Sequence, residues 1–162
     1  MSAARTGIGY DSHRLVFGRP LRLGGVEVPE AERGLAGHSD ADVLTHAVID
    51  ALLGAAALGD IGQHFPDTDP RYAGADSIGL LEQVRVLLAD AGLAVTSLDA
   101  TVICERPRLG PHRAAMCARL AGAAGVDTAG VNVKFTTNEG MGFVGREEGV
   151  AALAVAALAP VG

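Results

Sequence analysis

Tryptophan is absent, and aromatic residues of any kind make up only 4% of the 162 residues. A ring-stacked interior is therefore excluded. Hydrophobic residues still reach 49%, which rules out a disordered segment. The core has to be built from Ala, Val, Leu and Ile packed closely around many glycines. Cysteine is scarce as well. Cys104 and Cys117 fit no zinc ribbon and cannot make a disulfide framework, so the composition points to a reduced, cytoplasmic setting. Positive charge is outnumbered, 13 Lys and Arg against 19 Asp and Glu, for a formal net charge of -6. That balance argues against non-specific nucleic-acid binding and against attraction to anionic membranes. The first residues lack the basic-then-apolar pattern of a signal peptide, and the apolar tail GVAALAVAALAPVG is too short to span a bilayer. Walker A, G-x-S-x-G, H-E-x-x-H and the zinc-deaminase P-C-x-x-C are missing, and no G-x-G-x-x-G opens a helix after a strand. P-loop, Rossmann, α/β-hydrolase, zincin and deaminase chemistries lose their usual signatures with them.

Residues 1–162 read as one domain, with no repeat, linker or low-complexity tract. GIGYDSHRLVF and LRLGGVEV read as strands, the second broken by a turn at Gly24–Gly25. ADVLTHAVIDALLGAAALG reads as a helix with a broad apolar face. Ser39 and Asp42 before it resemble a capping box, and Gly59 is placed to end it. DSIGLLEQVRVLLADAG and PHRAAMCARLAGAAG are two further helices, while LAVTSLDATVICE and VNVKFTTNEG are strands. EGVAALAVAALA stays ambiguous, since alanine favours helix and its valines allow strand. The sum is an α+β domain: a mixed β-sheet with helices on one face. The other face is expected to be apolar and small in side chain, and to meet other copies of the chain.

The chemistry concentrates in a few polar positions. Asp11 and His13 sit two apart in a predicted strand, so they share a face. His46 lies in the predicted helix, on a polar stripe with Asp42 and Asp50 at four-residue spacing. One carboxylate and two imidazoles form a three-ligand metal set. Such a set leaves a fourth tetrahedral position open, as catalytic zinc requires. With Asp42 or His38 as a fourth ligand the same residues would instead close a structural site. The acidic, Pro-bracketed loop around Asp60, Asp67 and Asp69 reads equally as a functional loop or as turns and caps. Arg106, Arg108 and Arg113 occupy a basic loop that could be simply solvated. Thr136, Thr137 and Glu139 follow a strand. The hydroxyls suit phosphate oxygens and Glu139 suits Mg²⁺ or Mn²⁺, although a plain polar hairpin has the same letters.

Taken together, D-S-H at 11–13, H-S-D-A-D-V-L-T-H at 38–46, D-A-L-L-G-A-A-A-L-G-D-I-G at 50–62, F-P-D-T-D-P at 65–70, V-N-V-K at 131–134 and G-F-V-G-R-E-E-G at 142–149 resemble the 2-C-methyl-D-erythritol 2,4-cyclodiphosphate synthase family of the non-mevalonate isoprenoid pathway. The resemblance implies a homotrimer with its sheets toward the central axis and active sites at subunit boundaries. It implies Zn²⁺ on Asp11, His13 and His46, and a second divalent cation, Mg²⁺ or Mn²⁺, on Glu139. The implied substrate is 4-diphosphocytidyl-2-C-methyl-D-erythritol 2-phosphate, which would release CMP. His38, Ser39 and Thr137 are implied beside the reacting phosphates, with His38 and Thr137 as catalytic residues and Thr136 and Asn138 next to them. Asp60, Ile61, Gly62, Phe65, Pro66, Asp67, Thr68 and Asp69 would face the methylerythritol. Cys104, Glu105, Arg106, Pro107, Arg108, Leu109 and Gly110 would form the cytidine pocket, and Phe143 and Arg146 would stand near the trimer axis. The chain departs from the pattern at Asn138, where the family frequently has Thr, and the 104–110 loop varies among relatives.

Overall fold

The computed structural model describes residues 3–162. The chain opens with strand β1 (Arg5–Val16), the hairpin β2 (Arg22–Leu23) and β3 (Val26–Glu27), and the short β4 (Gly34–Leu35). Helix α1 (Val43–Ala56), the single turn α2 (Ile61–His64) and helix α3 (Ser77–Asp90) follow. Then come β5 (Leu93–Ile103), α4 (Arg113–Ala124), β6 (Val131–Thr136), the turn α5 (Gly142–Gly145) and β7 (Gly149–Pro160). The main sheet runs β4-β1-β7-β5-β6. β7 is antiparallel to both neighbours and β5–β6 is parallel, so the sheet is mixed, as expected from the sequence. Because β1, β5 and β6 point the same way, their carboxyl ends share one edge. Among the described residues no helix is long and apolar enough to cross a membrane.

Alternation along β1 turns Gly7, Gly9, Asp11 and His13 toward α1 and Ile8, Tyr10 and Ser12 away from it. Gly7 and Gly9 set how close the helix comes. A Cβ at Gly9 would lie 1.9 Å from the Ala47 carbonyl oxygen, and one at Gly7 2.1 Å from that of Ala51. Only glycine lets a helix rest on a strand backbone in this way. On the other side, Ala152, Ala154 and Ala156 of β7 are buried and small, which leaves room for the same helix. α1 is consequently buried along almost its whole length.

The ambiguous tail is therefore a strand. β7 lies between β1 and β5 and pairs with both over most of its length, so the sheet overrides the helical leaning of alanine. The start of α1 also differs from expectation. Asp42, not Ser39, is the N-cap: its carboxylate accepts from Thr45 N–H at 2.9 Å. The same carboxylate accepts from Gly24 and Gly25 N–H at 2.8 and 2.7 Å, so it also holds the β2–β3 turn. Both glycines have positive φ, +59° and +72°, which is what a two-residue type I′ hairpin turn needs. The helix ends on Ala57 in the left-handed region rather than at Gly59. Asp76 caps α3, and Gly125 ends α4 as anticipated.

α1, α3 and α4 leave the opposite sheet face open. It carries Ile8 paired with Val155 and Tyr10 paired with Leu153, exposed at 69, 48, 53 and 39% respectively. The expectation of a uniformly apolar, small-residue face holds only in part. The β1–β7 half is apolar but large, and the β5–β6 half carries the Asp99–Lys134 ion pair at 2.7 Å beside Asn132.

Candidate active site

The close seat of α1 on β1 brings His46 against Asp11 and His13. Asp11 Oδ2 lies 2.8 Å from His13 Nε2 and 3.1 Å from His46 Nδ1, and the two ring nitrogens are 3.2 Å apart. His13 Nδ1 donates to the Ala36 carbonyl at 2.8 Å, so its Nε2 presents a lone pair to the cluster. His46 Nε2 turns the other way, 2.8 Å from Ser77 Oγ and 3.2 Å from Ser39 Oγ. Burial opposes ionisation of Asp11, but the two imidazoles beside it outweigh that and hold its pKa at about 2. Burial likewise disfavours protonated His13, yet the Asp11 carboxylate raises its pKa above the usual value.

A carboxylate oxygen and two imidazole nitrogens converging this tightly favour a cation between them, or a shared proton that is lost as pH rises. The set fits a small divalent metal. Donors about 2.0–2.1 Å from a tetrahedral ion lie roughly 3.3–3.4 Å from one another, a few tenths of an ångström wider than found here. Among the described residues no fourth side chain closes the set. Asp42 is committed to Gly24, Gly25 and Thr45, and His38 Nε2 donates to the Asp69 carbonyl at 3.1 Å. The closed structural site is thereby excluded as an arrangement of these residues.

The cluster opens into a cavity of about 460 Å³. Asp11, His13, His38, Ser39, His46, Ile61, Gly62, Phe65, Pro66 and Asp67 all line it. Of the remaining loop residues, Asp60 caps α2 and Asp69 caps the next turn and pairs with Arg71, which are the turn-making roles open from the start. Thr68 is exposed beside them. Sequence reasoning missed Tyr10, Gly37, Asp50, Tyr72 and Leu80 as lining residues. Asp50 carried a signal, its place on the His46 stripe; its Oδ1 accepts from Ile61 N–H at 3.1 Å and docks α2 against α1. Tyr72 meets Phe65 edge to face at 5.4 Å, a contact no local pattern announces.

The other predicted residues form a second group at the carboxyl ends of β5 and β6. Cys104 N–H donates to Thr136 O at 2.9 Å, and Asn138 N–H to Glu105 Oε1 at 2.6 Å, so the 104–110 and 136–139 loops are joined within one chain. Glu139 holds a positive φ of +53°, and its backbone N–H and carboxylate both meet the Thr137 hydroxyl. Arg106 grips Glu147 through two hydrogen bonds, and Arg33 holds the same carboxylate. Leu15, Phe17, Glu30, Ala31 and Glu32 complete a cavity of about 680 Å³ with Arg33, Glu105–Arg108 and Glu147. Leu109 is buried, Phe143 is exposed on α5, and Arg146 pairs with Glu148. Burial pushes the Cys104 thiol up to about 11, which makes it an inert packing group rather than a nucleophile. Through β7 and β5, Thr136 stands three strand positions from His13, roughly 14 Å at the usual strand spacing. No residue lines both cavities. One chain thus presents two separate groups of predicted residues along one sheet edge.

The family model described as the YgbB family matches residues 4–159. The chain is 61% identical over 153 residues to the 2-C-methyl-D-erythritol 2,4-cyclodiphosphate synthase of Symbiobacterium thermophilum, covering 94% of this chain and 97% of that protein. Among solved structures it is similar to the bifunctional IspDF of Campylobacter jejuni, with 40% identity and a TM-score of 0.93. That match covers 98% of this chain and 42% of the longer one. A 2C-methyl-D-erythritol-2,4-cyclodiphosphate synthase solved in a CDP-bound form is also 40% identical, with a TM-score of 0.87 over 96% of this chain and all of that one.

Proposed function

The chain belongs to the YgbB family, and from that membership and the geometry of its two half-sites we propose that it is a 2-C-methyl-D-erythritol 2,4-cyclodiphosphate synthase, a lyase of isoprenoid biosynthesis, with residues 1–162 as its single domain. It converts 4-diphosphocytidyl-2-C-methyl-D-erythritol 2-phosphate to the cyclic diphosphate and CMP. An oxygen of the 2-phosphate attacks the β-phosphorus, the bond from that phosphorus to the bridging oxygen breaks, and the electron pair leaves with CMP. The single observation that carries this reading is the convergence of Asp11, His13 and His46 at the mouth of a cavity, with no fourth ligand among the described residues.

The nucleophile is already an anion, so no activated serine or cysteine is required. The task is to hold anions together and to receive charge as it shifts. Asp11, His13 and His46 would hold Zn²⁺, and Glu139 a second Mg²⁺ or Mn²⁺. When bound, these ions supply Lewis-acid stabilisation of the diphosphate, which a chain of net charge -6 cannot provide from its surface. Ser39 Oγ accepts from Ala41 N–H and lies against His46 Nε2, which leaves its own proton free for a phosphate oxygen in the cavity. His38 and Thr137 would flank the reacting phosphates. Ile61, Gly62 and Phe65–Asp69 would enclose the methylerythritol, and Cys104–Gly110 the cytidine.

The distance between half-sites within one chain supports a shared site. The apolar strip Ile8, Tyr10, Leu153 and Val155 is the face by which three copies would meet with their sheets toward a common axis. Each boundary would then join the zinc half-site of one copy to the Thr137–Glu139 half-site of its neighbour. The direct test is to incubate purified protein with the cytidyl substrate, Zn²⁺ and Mg²⁺ and to resolve the products. CMP together with the cyclic diphosphate supports the reading. A linear product or inorganic phosphate would mark a zinc phosphohydrolase instead.

A further inference from the structure

We propose that Asp40 and Ser77 act as positioning residues that fix the tautomer of His46, so that its Nδ1 reaches the Asp11–His13 cluster as a bare lone pair. This rests on the metal-site reading above and concerns residues that the sequence did not mark.

The inference follows from counting protons. Ser77 opens α3 and is fully buried. Its backbone N–H donates to Asp40 Oδ2 at 2.9 Å, and its hydroxyl makes a short contact with Asp40 Oδ1. Oδ1 also accepts from Asp42 N–H at 3.2 Å. A carboxylate taking two backbone donors is an acceptor, so the single hydroxyl proton of Ser77 goes to Asp40. Ser77 Oγ then has only lone pairs to offer His46 Nε2 at 2.8 Å, and the ring must donate from Nε2. Its other nitrogen, 3.1 Å from Asp11 Oδ2, is left without a proton. His13 is set in the opposite sense, with Nδ1 donating to Ala36 O and Nε2 bare. The two imidazoles therefore offer different nitrogens to one point, each fixed by an acceptor behind it.

Asp40 is also anchored. Its own N–H donates to Ala75 O at 3.0 Å, so it ties the residues before α1 to those before α3. The relay thus locks two helix starts and a ring orientation through one carboxylate. Outer hydrogen bonds of this kind typically change metal affinity about 10–100-fold.

Two variants and two measurements test it. Ser77→Ala keeps both backbone donors to Asp40 and leaves His46 Nε2 only the longer contact to Ser39 Oγ. Its zinc affinity, measured with zinc alone against a chromophoric chelator, is expected to fall about 10–100-fold. Asp40→Asn should do more. An amide nitrogen facing Ser77 Oγ would donate, turn the hydroxyl proton toward Nε2, and move the ring proton to Nδ1, inside the cluster. Nitrogen-15 NMR of the metal-free protein at alkaline pH reads this directly. Wild type should show His46 protonated at Nε2, Asp40→Asn at Nδ1, and His13 unchanged in both variants. Wild-type zinc affinity in Ser77→Ala, or an Nδ1-protonated His46 in the metal-free wild type, overturns the proposal. If Asp40→Asn does not fold, Ser77→Ala decides alone. A purely structural Ser77 would lower thermal stability and leave the tautomer as it is. If the wild type binds no zinc, the metal reading fails, and the NMR result still judges the relay.

Discussion

The half-site at α1 and the half-site at the ends of β5 and β6 are built on opposite plans. In the first, Asp11, His13 and His46 stand on a strand and a buried helix, and each imidazole is held by an acceptor behind it. In the second, Thr137 and Glu139 sit on an exposed turn, and Arg106 and Arg108 on an exposed loop. Backbone contacts, the Glu105 carboxylate on Asn138 N–H, the buried Cys104 and Leu109, and surface ion pairs order that region. Groups on regular elements are placed to within a fraction of an ångström before anything binds, whereas loop groups gain their geometry when a neighbour or ligand arrives. The first half-site suits a metal that must be held without substrate, and the second suits a nucleotide that must enter and leave. Substitutions should therefore act through metal content in one and through kinetics in the other.

The largest effect is expected at His46. His46→Ala removes one of the three proposed ligands, and the remaining pair would have too little binding energy to keep zinc. Activity should drop on the order of 10³-fold or more, since a bound metal contributes several kcal/mol to charge stabilisation. The fold should survive because Ser77 keeps Asp40 as partner. Zinc content by atomic emission, alongside circular dichroism, checks this. A folded variant with one zinc per chain would remove His46 from the ligand set.

Thr137→Val probes the exposed half. The hydroxyl is assigned to oxygens whose charge changes during transfer, so kcat should fall far more than KM rises. Removal of one such donor costs about 2.7–4 kcal/mol, on the order of 10²–10³ in rate. Zinc content should not change. A variant with altered KM alone would make Thr137 a binding contact, and one that lost zinc would collapse the distinction between the half-sites.

The two regions were also unequally legible from sequence. Asp11 and His13 follow from strand parity, and His46 from helical periodicity, both of which are local. The link from Asp40 through Ser77 to His46 was invisible because 31 residues separate Ser77 from His46 and the packing of α3 on α1 joins them. The N-cap was misassigned to Ser39 because the Ser39 hydroxyl is engaged by His46, while the Asp42 carboxylate answers to both the β2–β3 turn and the helix. β7 was undecidable because its alanines are there to make room for α1, a demand set from outside the segment. In the loops, the letters of Asp60 and Asp69 could mean turn or function, and the structure gives each at least the turn. Thr137 and Glu139 stand out by their chemistry alone, but their roles and those of 104–110 rest on family resemblance, since exposed polar turns carry no periodicity to read.

Mixing defects tests whether the two plans belong to different copies in one site. Asp11→Ala and Glu139→Ala should each be nearly inactive. Reassembled one to one, a boundary works only when the copy giving Asp11 and the copy giving Glu139 are both intact in that residue. Random assembly of a cyclic trimer places the right neighbours together at about one boundary in four, so roughly a quarter of wild-type activity should return. If both residues act within one chain, every site keeps a defect and nothing returns. Native mass spectrometry must show mixed trimers for either result to count.

The smallest effect is expected at Arg106. Its guanidinium is largely exposed and its partner Glu147 is also held by Arg33, so the pair is screened and partly redundant. Arg106→Ala should raise KM for the cytidyl substrate by about two- to threefold, leave kcat and zinc content unchanged, and lose its effect as salt is raised, since exposed pairs contribute little. The burial of Cys104 and Leu109 in the same loop is what holds the backbone there, not the arginine. Steady-state kinetics across an ionic-strength series reads the difference. A KM change of a hundredfold or more, insensitive to salt, would mean that Arg106 is desolvated against the nucleotide in the assembled site. The exposed half-site would then be as tightly built, once occupied, as the buried one.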